Sequence, residues 1–575
     1  MIILGLNAYH GDSGACLVKD GQLVCAIEEE RIKRKKHWAG MPVESIKWCL
    51  DDAGIKIEDV DYIAIPRNPS AHFLKRIWQF VMRRPSLGFL KDRLQNVARV
   101  SNSKADIVKG LGINVSQIRA RVVNVEHHRA HIASAFLVSP FESAVCVSVD
   151  GFGDFVSTMR GVGQGNKIKI IDWVGFPHSL GIFYTALTQF LGFEHYGDEY
   201  KVMGLSAMGQ PKFLEQMRKI IRLTDDGLFK LDVSYFLHAK EGVDMLWKDQ
   251  SPFIGRIFSD NLIELFGPVR KKEDPITQHH KDIAASLQAI YEEAYFYLLN
   301  DIYKKTKINN LVLTGGCIQN SLANGKIFDQ TPFKEVYVPP AAHDAGTAIG
   351  AAFWIWNCIL GNPRSFIMDK PYWGPEFSDE QIEIILKNQK INFEKLGEAE
   401  IIKRTAVDIM NGKIVGWFQG RTEWGPRALG NRSILVDPRN DQMKDILNER
   451  IKRRENFRPF APVILQDQIS EWFERSYPVP FMERVYKIKP EKRKLIPAVT
   501  HVDGTGRLQT ISQDMNPRYY QLIKEFYRLT NVPILLNTSF NENEPIVNIP
   551  EDALNCFLRT KMEVLVLGNY YIKAD

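Results

Sequence analysis

Ala144-Val-Cys-Val-Ser-Val149, followed at once by Asp150-Gly-Phe-Gly-Asp154, reads as an apolar strand running into an acidic, glycine-rich turn. Phe155–Val162 then reads as a second strand, Gly163-Gln-Gly-Asn166 as a turn and Lys167–Ile171 as a third strand. The head of the chain has the same layout. Ile2–Leu6 is a strand, Asn7-Ala-Tyr-His-Gly-Asp-Ser-Gly14 a polar turn and Ala15–Val18 the next strand, with Lys19-Asp-Gly-Gln22 as the hairpin turn before Leu23–Ile27. Two copies of one strand–turn–hairpin unit predict a duplicated α/β domain whose two turns face each other across a cleft. Backbone N–H groups in such turns can hold a nucleotide's phosphates. Asn310-Leu-Val-Leu-Thr-Gly315-Gly316 is a further strand ending in a glycine turn. The helix expected near Cys317-Ile-Gln-Asn320 makes this resemble a nucleotide-binding strand–helix junction.

Between the two copies stands Val125-Glu-His-His-Arg-Ala-His131. On a helix, His127 and His131 share a face with Cβ atoms about 5–6 Å apart, so both imidazoles can reach one metal ion. Imidazole suits first-row divalent metals, and a nearby carboxylate completes such a site. The alternative is a polar helix face or a capping network. The Asp150 turn and a second one, Pro340-Ala-Ala-His-Asp344-Ala-Gly-Thr347, favour the metal.

At 575 residues the chain is too long for one hydrophobic core. Apolar content of 45% and charged content of 25% are those of an ordinary globular protein. A net charge of +6, spread along the chain, fits small anionic ligands and excludes a basic nucleic-acid-binding tail. Seven scattered cysteines without a C-x-x-C pair exclude a zinc knuckle and fit reduced thiols in a cytoplasmic protein. No leader peptide is legible ahead of Ile2–Leu6. The most apolar run, Gly346–Leu360, is short for a membrane span and reads as a buried helix.

The character changes between residues 361 and 400, where turn-rich sequence marks the exit from a first domain, 1–365, into a second, 366–575. A short helix, Ser378–Lys387, bridges to the strand Ile414–Phe418, a loop over Gln419–Ser433 and a charged helix from Asp441 to Arg454. The strands Pro533–Leu536 and Val564–Leu567 then flank a helix starting near Pro550. Gly420-Arg-Thr-Glu-Trp-Gly-Pro-Arg427-Ala-Leu-Gly-Asn-Arg432-Ser433 gathers arginines in a glycine-rich loop, and Lys452, Arg454, Arg458 and Arg507 follow. Guanidinium forks match phosphate oxygens in pairs. For Arg427 and Arg432, hemmed in by Gly, Pro and Ala, a ligand role is preferred; for Lys444, Arg450 and Arg453 of the Asp441–Arg454 helix a solvated face is preferred. Asn537-Thr-Ser539-Phe-Asn is open between a helix cap and a substrate clamp.

Several stretches together resemble a known family. They are Gly5-Leu-Asn-Ala-Tyr-His10, Glu28-Glu-Glu-Arg31 with Arg34-Lys-Lys-His37, the His127/His131 pair, Gly197-Asp-Glu-Tyr-Lys201-Val-Met-Gly204, Gly425-Pro-Arg427-Ala-Leu-Gly-Asn-Arg432-Ser433, Phe457-Arg-Pro-Phe-Ala-Pro462 and Asn537-Thr-Ser-Phe540. This set is similar to the O-carbamoyltransferases of the NodU/CmcH (TobZ-like) type, which modify antibiotics, nodulation factors and related metabolites. The resemblance covers nearly the whole chain. It implies an α/β protein with a duplicated actin-like first domain, related to the enzyme that threonylcarbamoylates tRNA, and a YrdC-like α/β second domain. The second domain would bind carbamoyl phosphate and ATP, with Mg2+, and make carbamoyl-adenylate. Arg427, Lys452, Arg458, Arg507, Asn537 and Ser539 match its phosphate- and carbamoyl-binding positions. In the first domain His127, His131, Asp150 and Asp344 would hold a divalent metal, iron(II) in the relatives. Lys36, Gly315, Gly316 and Asn320 would contact the nucleotide. His10 would take the proton from a hydroxylated small-molecule acceptor, with Gly11 setting the register of its turn. No nucleic acid or membrane partner is implied, and a homodimer is compatible with the family.

Two other readings remain. A tRNA-modifying enzyme would share the metal pattern, but the second anion-binding domain and the lack of a basic stripe oppose it. A non-catalytic nucleotide-binding regulator would need neither the histidine pair nor the Arg427–Arg507 set. The carbamoyltransferase of hydrogenase maturation carries zinc-finger cysteines that this chain lacks. The acceptor contacts variable loops, among them Tyr235–Lys272.

Overall fold

Ile2–Asn7 forms β1, buried at every position after the first, because its residues are apolar on both faces of a covered sheet. It belongs to a computed structural model that describes residues 1–72, 102–242, 245–248 and 251–574. The Tyr235–Lys272 segment is therefore described only in part, with 243–244 and 249–250 outside the described residues. Gly14–Lys19 is β2 and Gln22–Glu28 is β3. Asp20 and Gly21 connect them with φ of 50° and 77°, the positive values that a tight hairpin turn demands. Tyr62–Ile65 is β4 and Arg121–Asn124 is β5. The sheet order is β3-β2-β1-β4-β5, with β2 antiparallel to β1 and with β4 and β5 parallel to it.

His127–Phe136 is α1, started by Glu126, whose carboxylate accepts from the backbone N–H groups of His128 and Arg129. The central stretch then repeats the first sheet. Ser143–Gly153 is β6, Val156–Gln164 is β7 and Lys167–Gly175 is β8. After the 29-residue helix α2, Gln278–Thr306, come β9, Asn310–Thr314, and β10, Glu335–Tyr337. The order is β10-β9-β6-β7-β8, again a central strand with an antiparallel hairpin on one side and two parallel strands on the other. The duplication legible in the sequence is thus a duplication of topology.

The apolar run after Gly346 forms the buried helix α3, Thr347–Phe353, followed by a wider helical turn, Trp354–Ile359. Helix α3 lies so close to α1 that a Cβ on Gly350 would stand 1.8 Å from the Ala130 carbonyl oxygen and 2.7 Å from the Ser134 nitrogen. All seven cysteines are free. Among the described residues no helix is long and apolar enough to cross a membrane.

The chain divides into two units, Met1–Met368 and Asp369–Asp575. The second is built on a nine-stranded mixed sheet, ordered β11-β19-β18-β12-β13-β17-β14-β16-β15. Its strands are β11 Glu394–Lys395, β12 Val415–Phe418, β13 Arg432–Val436, β14 Ala461–Leu465, β15 Arg484–Lys487, β16 Thr505–Ile511, β17 Ile534–Ser539, β18 Val564–Leu567 and β19 Tyr570–Lys573. Asn537 and Ser539 therefore end a central strand and cap no helix. The stretch Asp441–Arg454, expected as one solvated helix, is instead a short helix, Met443–Ile446, and a wide turn, Leu447–Ile451. The helix stops because Lys452 turns inward. Its ammonium donates to the Ser539 carbonyl at 2.6 Å and to the Asn541 carbonyl and side-chain oxygens at 2.7 Å, and Arg453 follows at φ 43°.

Gly350→Ala should force α1 and α3 apart and lower stability by at least about 1–3 kcal/mol, the usual cost of overpacking. Thermal unfolding of the purified protein measures it. An unchanged midpoint would mean that the two helices separate at no cost.

Candidate active site

Four side chains from three segments converge on one point in the first unit. Successive turns of α1 present the Nε2 atoms of His127 and His131, β6 supplies Asp150, and the turn before α3 supplies Asp344. His127 Nε2 lies 3.3 Å from Asp150 Oδ2 and 3.5 Å from Asp344 Oδ1, and for His131 Nε2 the two distances are 3.5 and 3.3 Å. One ligand atom from each residue falls within 4.8 Å of the others, an arrangement able to hold a metal ion. His131 Nε2 and Asp344 Oδ1 are buried without a hydrogen-bond partner, as expected of atoms that share a common ligand. Two imidazoles and two carboxylates are a donor set for a first-row divalent metal. His131 Nδ1 lies 3.3 Å from the Thr314 hydroxyl, which helps to fix that ring. A Cβ on Gly153 would stand 1.9 Å from His127 Cδ2, so this end of β6 must be glycine. His128 points elsewhere, bonded to the Ser148 hydroxyl and the Val156 carbonyl.

The charges fit this geometry. Burial opposes ionisation of Asp150, but the hydrogen bond with His127 and the nearby charge of the His131 imidazole hold its carboxyl well below the usual carboxylate range. Burial likewise opposes charge on His131, and Asp150 and Asp344 overcome it, raising the imidazole to about 9. His10 differs. Its ring stacks on His127 with centroids 5.0 Å apart, and its Nδ1 lies 3.7 Å from Asp344 Oδ2. Burial, then Arg67 and His127, hold it well below the usual histidine value, so it is neutral near pH 7.

The turn that carries His10 is held by residues to which the sequence reading gave no role, although His37 stands in one of the quoted motifs. Tyr9 and Asp12 adopt φ of 64° and 56° on either side of His10 and Gly11. A Cβ on Gly11 would come within 2.8–2.9 Å of the Tyr196 ring and hydroxyl, which explains the glycine between His10 and Asp12. Asp12 accepts from His37 Nδ1 at 2.8 Å, and its other oxygen lies 3.8 Å from His343 Nε2. Burial alone would lower His37, yet Asp12 and Glu30 raise it to about 9.

The expected nucleotide residues are less uniform. Gly316 donates its N–H to Asp150 Oδ1 at 2.9 Å, which joins the glycine turn to the metal-type cluster. Gly315, at φ 96°, sits so close to Val149 that a Cβ would stand 2.2 Å from its carbonyl oxygen. The Asn320 amide caps the next helix through Ala323 N–H and pairs with Gln288 in both directions, so it shapes the turn from within. Lys36 is exposed beside His37.

In the second unit, alternate residues and directly opposed residues share a face of the sheet. Ser433 opposes Ser539, Leu435 opposes Asn537, and Val463 opposes both Leu535 and Gln509. One face therefore carries a polar row of Arg507, Gln509, Asn537, Ser539 and Ser433. Lys452 braces the end of that row, and Arg458 pairs with Glu455 at 2.6 Å. Arg427 is partly exposed on its loop. Arg432, expected to meet a ligand, does not face one. It is fully buried, donates to the carbonyls of Gln419, Gly420, Asn431 and Pro375, and lies 3.6 Å from the Phe418 ring centroid. Glu423 is a second internal brace. One of its oxygens accepts from the N–H groups of Leu429, Asn431 and Arg432 at 2.8, 2.9 and 3.1 Å. These loop N–H groups are thereby used within the fold.

The chain thus joins a duplicated α/β unit with a two-histidine, two-carboxylate cluster to a mixed-sheet unit with a polar row on one face. Residues 2–353 match the family model of the carbamoyltransferase N-terminus and residues 406–574 that of the carbamoyltransferase C-terminus. The chain belongs to the carbamoyltransferase family and is a carbamoyltransferase. An uncharacterized protein of Synechocystis sp. is 39% identical over 606 residues, covering 99% of this chain and 96% of that one. Nodulation protein NolNO of Sinorhizobium fredii is 37% identical over 583 residues, covering 99% and 79% of the two chains. Nodulation protein NolO of Bradyrhizobium diazoefficiens is 40% identical over 459 residues, covering 78% and 79%.

Two measurements probe the first unit. His127→Ala or Asp344→Ala should weaken divalent-metal binding by more than about 100-fold, beyond the range for residues one step removed from a metal. His128→Gln should retain the metal. Elemental analysis decides, and full metal content in the first two variants would reject the cluster as a metal centre. The His37–Asp12 pair sets a pH window. The folded-state value of His37 lies above its unfolded value of about 6.5, so its stabilisation is complete below that pH and is lost as pH rises through about 9. Chemical denaturation between pH 6.5 and 9 should show a steeper loss for the wild type than for His37→Asn; parallel curves would mean that the pair contributes nothing.

Proposed function

We propose that the protein is an ATP-dependent O-carbamoyltransferase with an actin-like first unit and a YrdC-like second unit, acting in the cytoplasm. In the second unit carbamoyl phosphate loses phosphate with water, and the resulting carbamate attacks the α-phosphorus of ATP, carried with Mg2+. Pyrophosphate leaves and carbamoyl-adenylate forms. Arg427, Arg458 and Arg507 neutralise phosphate charge, Lys452 fixes the Ser539–Asn541 end of the polar row, and Asn537 and Ser539 hold the carbamoyl group. In the first unit the acceptor hydroxyl attacks the carbamoyl carbon, its proton passes to His10, and AMP leaves. The product is an O-carbamate.

The observation that carries this reading is His10, a neutral imidazole stacked on His127 at the edge of the four-residue cluster. An alcohol is a weak nucleophile near neutral pH and gains roughly 10²–10⁴-fold from a positioned base. A divalent metal, iron(II) by the family resemblance, held by His127, His131, Asp150 and Asp344, would polarise a carbonyl or phosphoryl oxygen as a Lewis acid. The Gly315–Gly316 turn, whose N–H groups are held by the Ala342 carbonyl and Asp150, and the Lys36 side chain line the place of the nucleotide. The acceptor is a hydroxylated small metabolite, of the sugar or nodulation-factor class given the nodulation proteins among the relatives.

The two half-reactions should separate by mutation. Arg427→Ala or Arg507→Ala should abolish pyrophosphate release from ATP with carbamoyl phosphate, since a charge-assisted hydrogen bond is worth roughly 1.5–3 kcal/mol and a forked one more. His10→Ala should still release pyrophosphate but transfer carbamoyl to a metabolite panel at least about 100-fold more slowly, read by mass spectrometry. Normal pyrophosphate release in both arginine variants would remove the second unit from adenylation, and wild-type transfer by His10→Ala would leave His10 a turn residue.

A further inference from the structure

The polar row of the second unit contains a side-chain amide whose orientation is dictated by its neighbours. Asn537 is buried on β17, and its Nδ2 donates to the Ala428 carbonyl at 3.0 Å and to Gln509 Oε1 at 2.7 Å. An amide nitrogen has two hydrogens, so both are used. Gln509, also fully buried, cannot reverse its own amide cheaply, because its Nε2 donates to the Leu429 carbonyl at 3.0 Å. The order is forced. The Leu429 carbonyl fixes Gln509 with its nitrogen toward the loop, Gln509 then shows an oxygen to Asn537, and Asn537 must turn its nitrogen toward Gln509 and Ala428. What remains is Asn537 Oδ1, a buried acceptor without a donor. A buried acceptor left unpaired is costly, and such groups occur where a ligand supplies the missing partner. It stands in the same row as Arg507 and Ser539, on the face assigned above to the carbamoyl group.

We propose that Gln509 is a positioning residue that holds the Asn537 amide with its oxygen toward the ligand, and that this oxygen selects a substrate bearing an –NH2 group over an isosteric one bearing –CH3. The inference rests on the adenylation reading of the second unit. Carbamoyl phosphate offers two N–H donors at the position where acetyl phosphate has a methyl group of nearly the same size. Shape alone separates the two poorly. A site built to hydrogen-bond an N–H rejects an analogue that lacks it, because the acceptor is then left buried and unpaired. The carbonyls of Ala428 and Leu429 belong to the Arg427 loop, so the loop that carries the arginine also sets the polarity of the amide.

The test compares kcat/KM for pyrophosphate release from ATP with carbamoyl phosphate and with acetyl phosphate, using the full-length protein. The wild type should prefer carbamoyl phosphate by at least about 100-fold, and Gln509→Met, which keeps the volume and removes both hydrogen bonds, should lower that ratio by about 10-fold or more. Gln509→Glu, which keeps an oxygen facing Asn537, should retain most of the preference. The ratio is taken within one preparation, so a reduced folded fraction cancels, and a purely structural role for Gln509 would move both substrates alike. Equal use of acetyl phosphate by the wild type, or an unchanged ratio in Gln509→Met, overturns the inference while leaving the adenylation reading in place. Absence of pyrophosphate from the wild type with either substrate removes the adenylation reading, and the inference falls with it.

Discussion

Asp150 ties the centre of the first unit together. One carboxylate oxygen faces both histidine Nε2 atoms of α1, and the other accepts the Gly316 N–H. A single side chain thus joins the end of β6, the histidine helix and the glycine turn after β9. Such a cluster is stable only as a whole, because an ion left buried without its partner is penalised far more than the intact pair is favoured. The surrounding backbone is fitted closely around it. Gly153 admits the His127 ring, Gly315 admits Val149, and Gly350 admits α1, each at a distance that a β-carbon would forbid.

The second unit divides its polar groups between those that build the loop and those that face outward from the sheet. Arg432 and Glu423 build. The arginine's donors end on carbonyls, and the glutamate's oxygen gathers three N–H groups of the Arg427 loop. Asn431, Asn516 and Gln419 complete that interior network through side-chain amides. Arg507, Gln509, Asn537 and Ser539 share the opposed face because strand alternation and register place them there. A loop satisfied from within is held in one arrangement before any ligand binds.

Family membership assigns the chain one activity, carbamoyl transfer, and the electrostatics of the histidines in the first unit follow from their surroundings. Two histidines that both pack against His127 are driven in opposite directions. His131, between two carboxylates, is pushed up to about 9, whereas His10, beside Arg67 and another imidazole, is pushed down. The first is suited to hold a charge or a metal and the second to accept a proton.

The sequence by itself determined the duplication, since an apolar strand, a polar glycine turn and a hairpin recur in the same order, and local hydrogen bonding is enough to make each a strand and hairpin. It also supplied all four members of the metal-type cluster: helical periodicity placed His127 and His131 on one face, and the Asp150 and Asp344 turns stood out against apolar surroundings. The sequence did not determine which arginine of the Gly420–Ser433 loop is structural, because Arg427 and Arg432 lie five residues apart in one glycine-rich loop with no periodicity to separate them. That depended on burial against Phe418 and on carbonyls brought from as far away as Pro375. The inward turn of Lys452, the Asp12–His37 pair and the orientation of the Asn537 amide were likewise decided by partners distant in sequence. Periodicity reports the face on which a side chain lies; the group it meets there is set by long-range packing, which only the folded chain fixes.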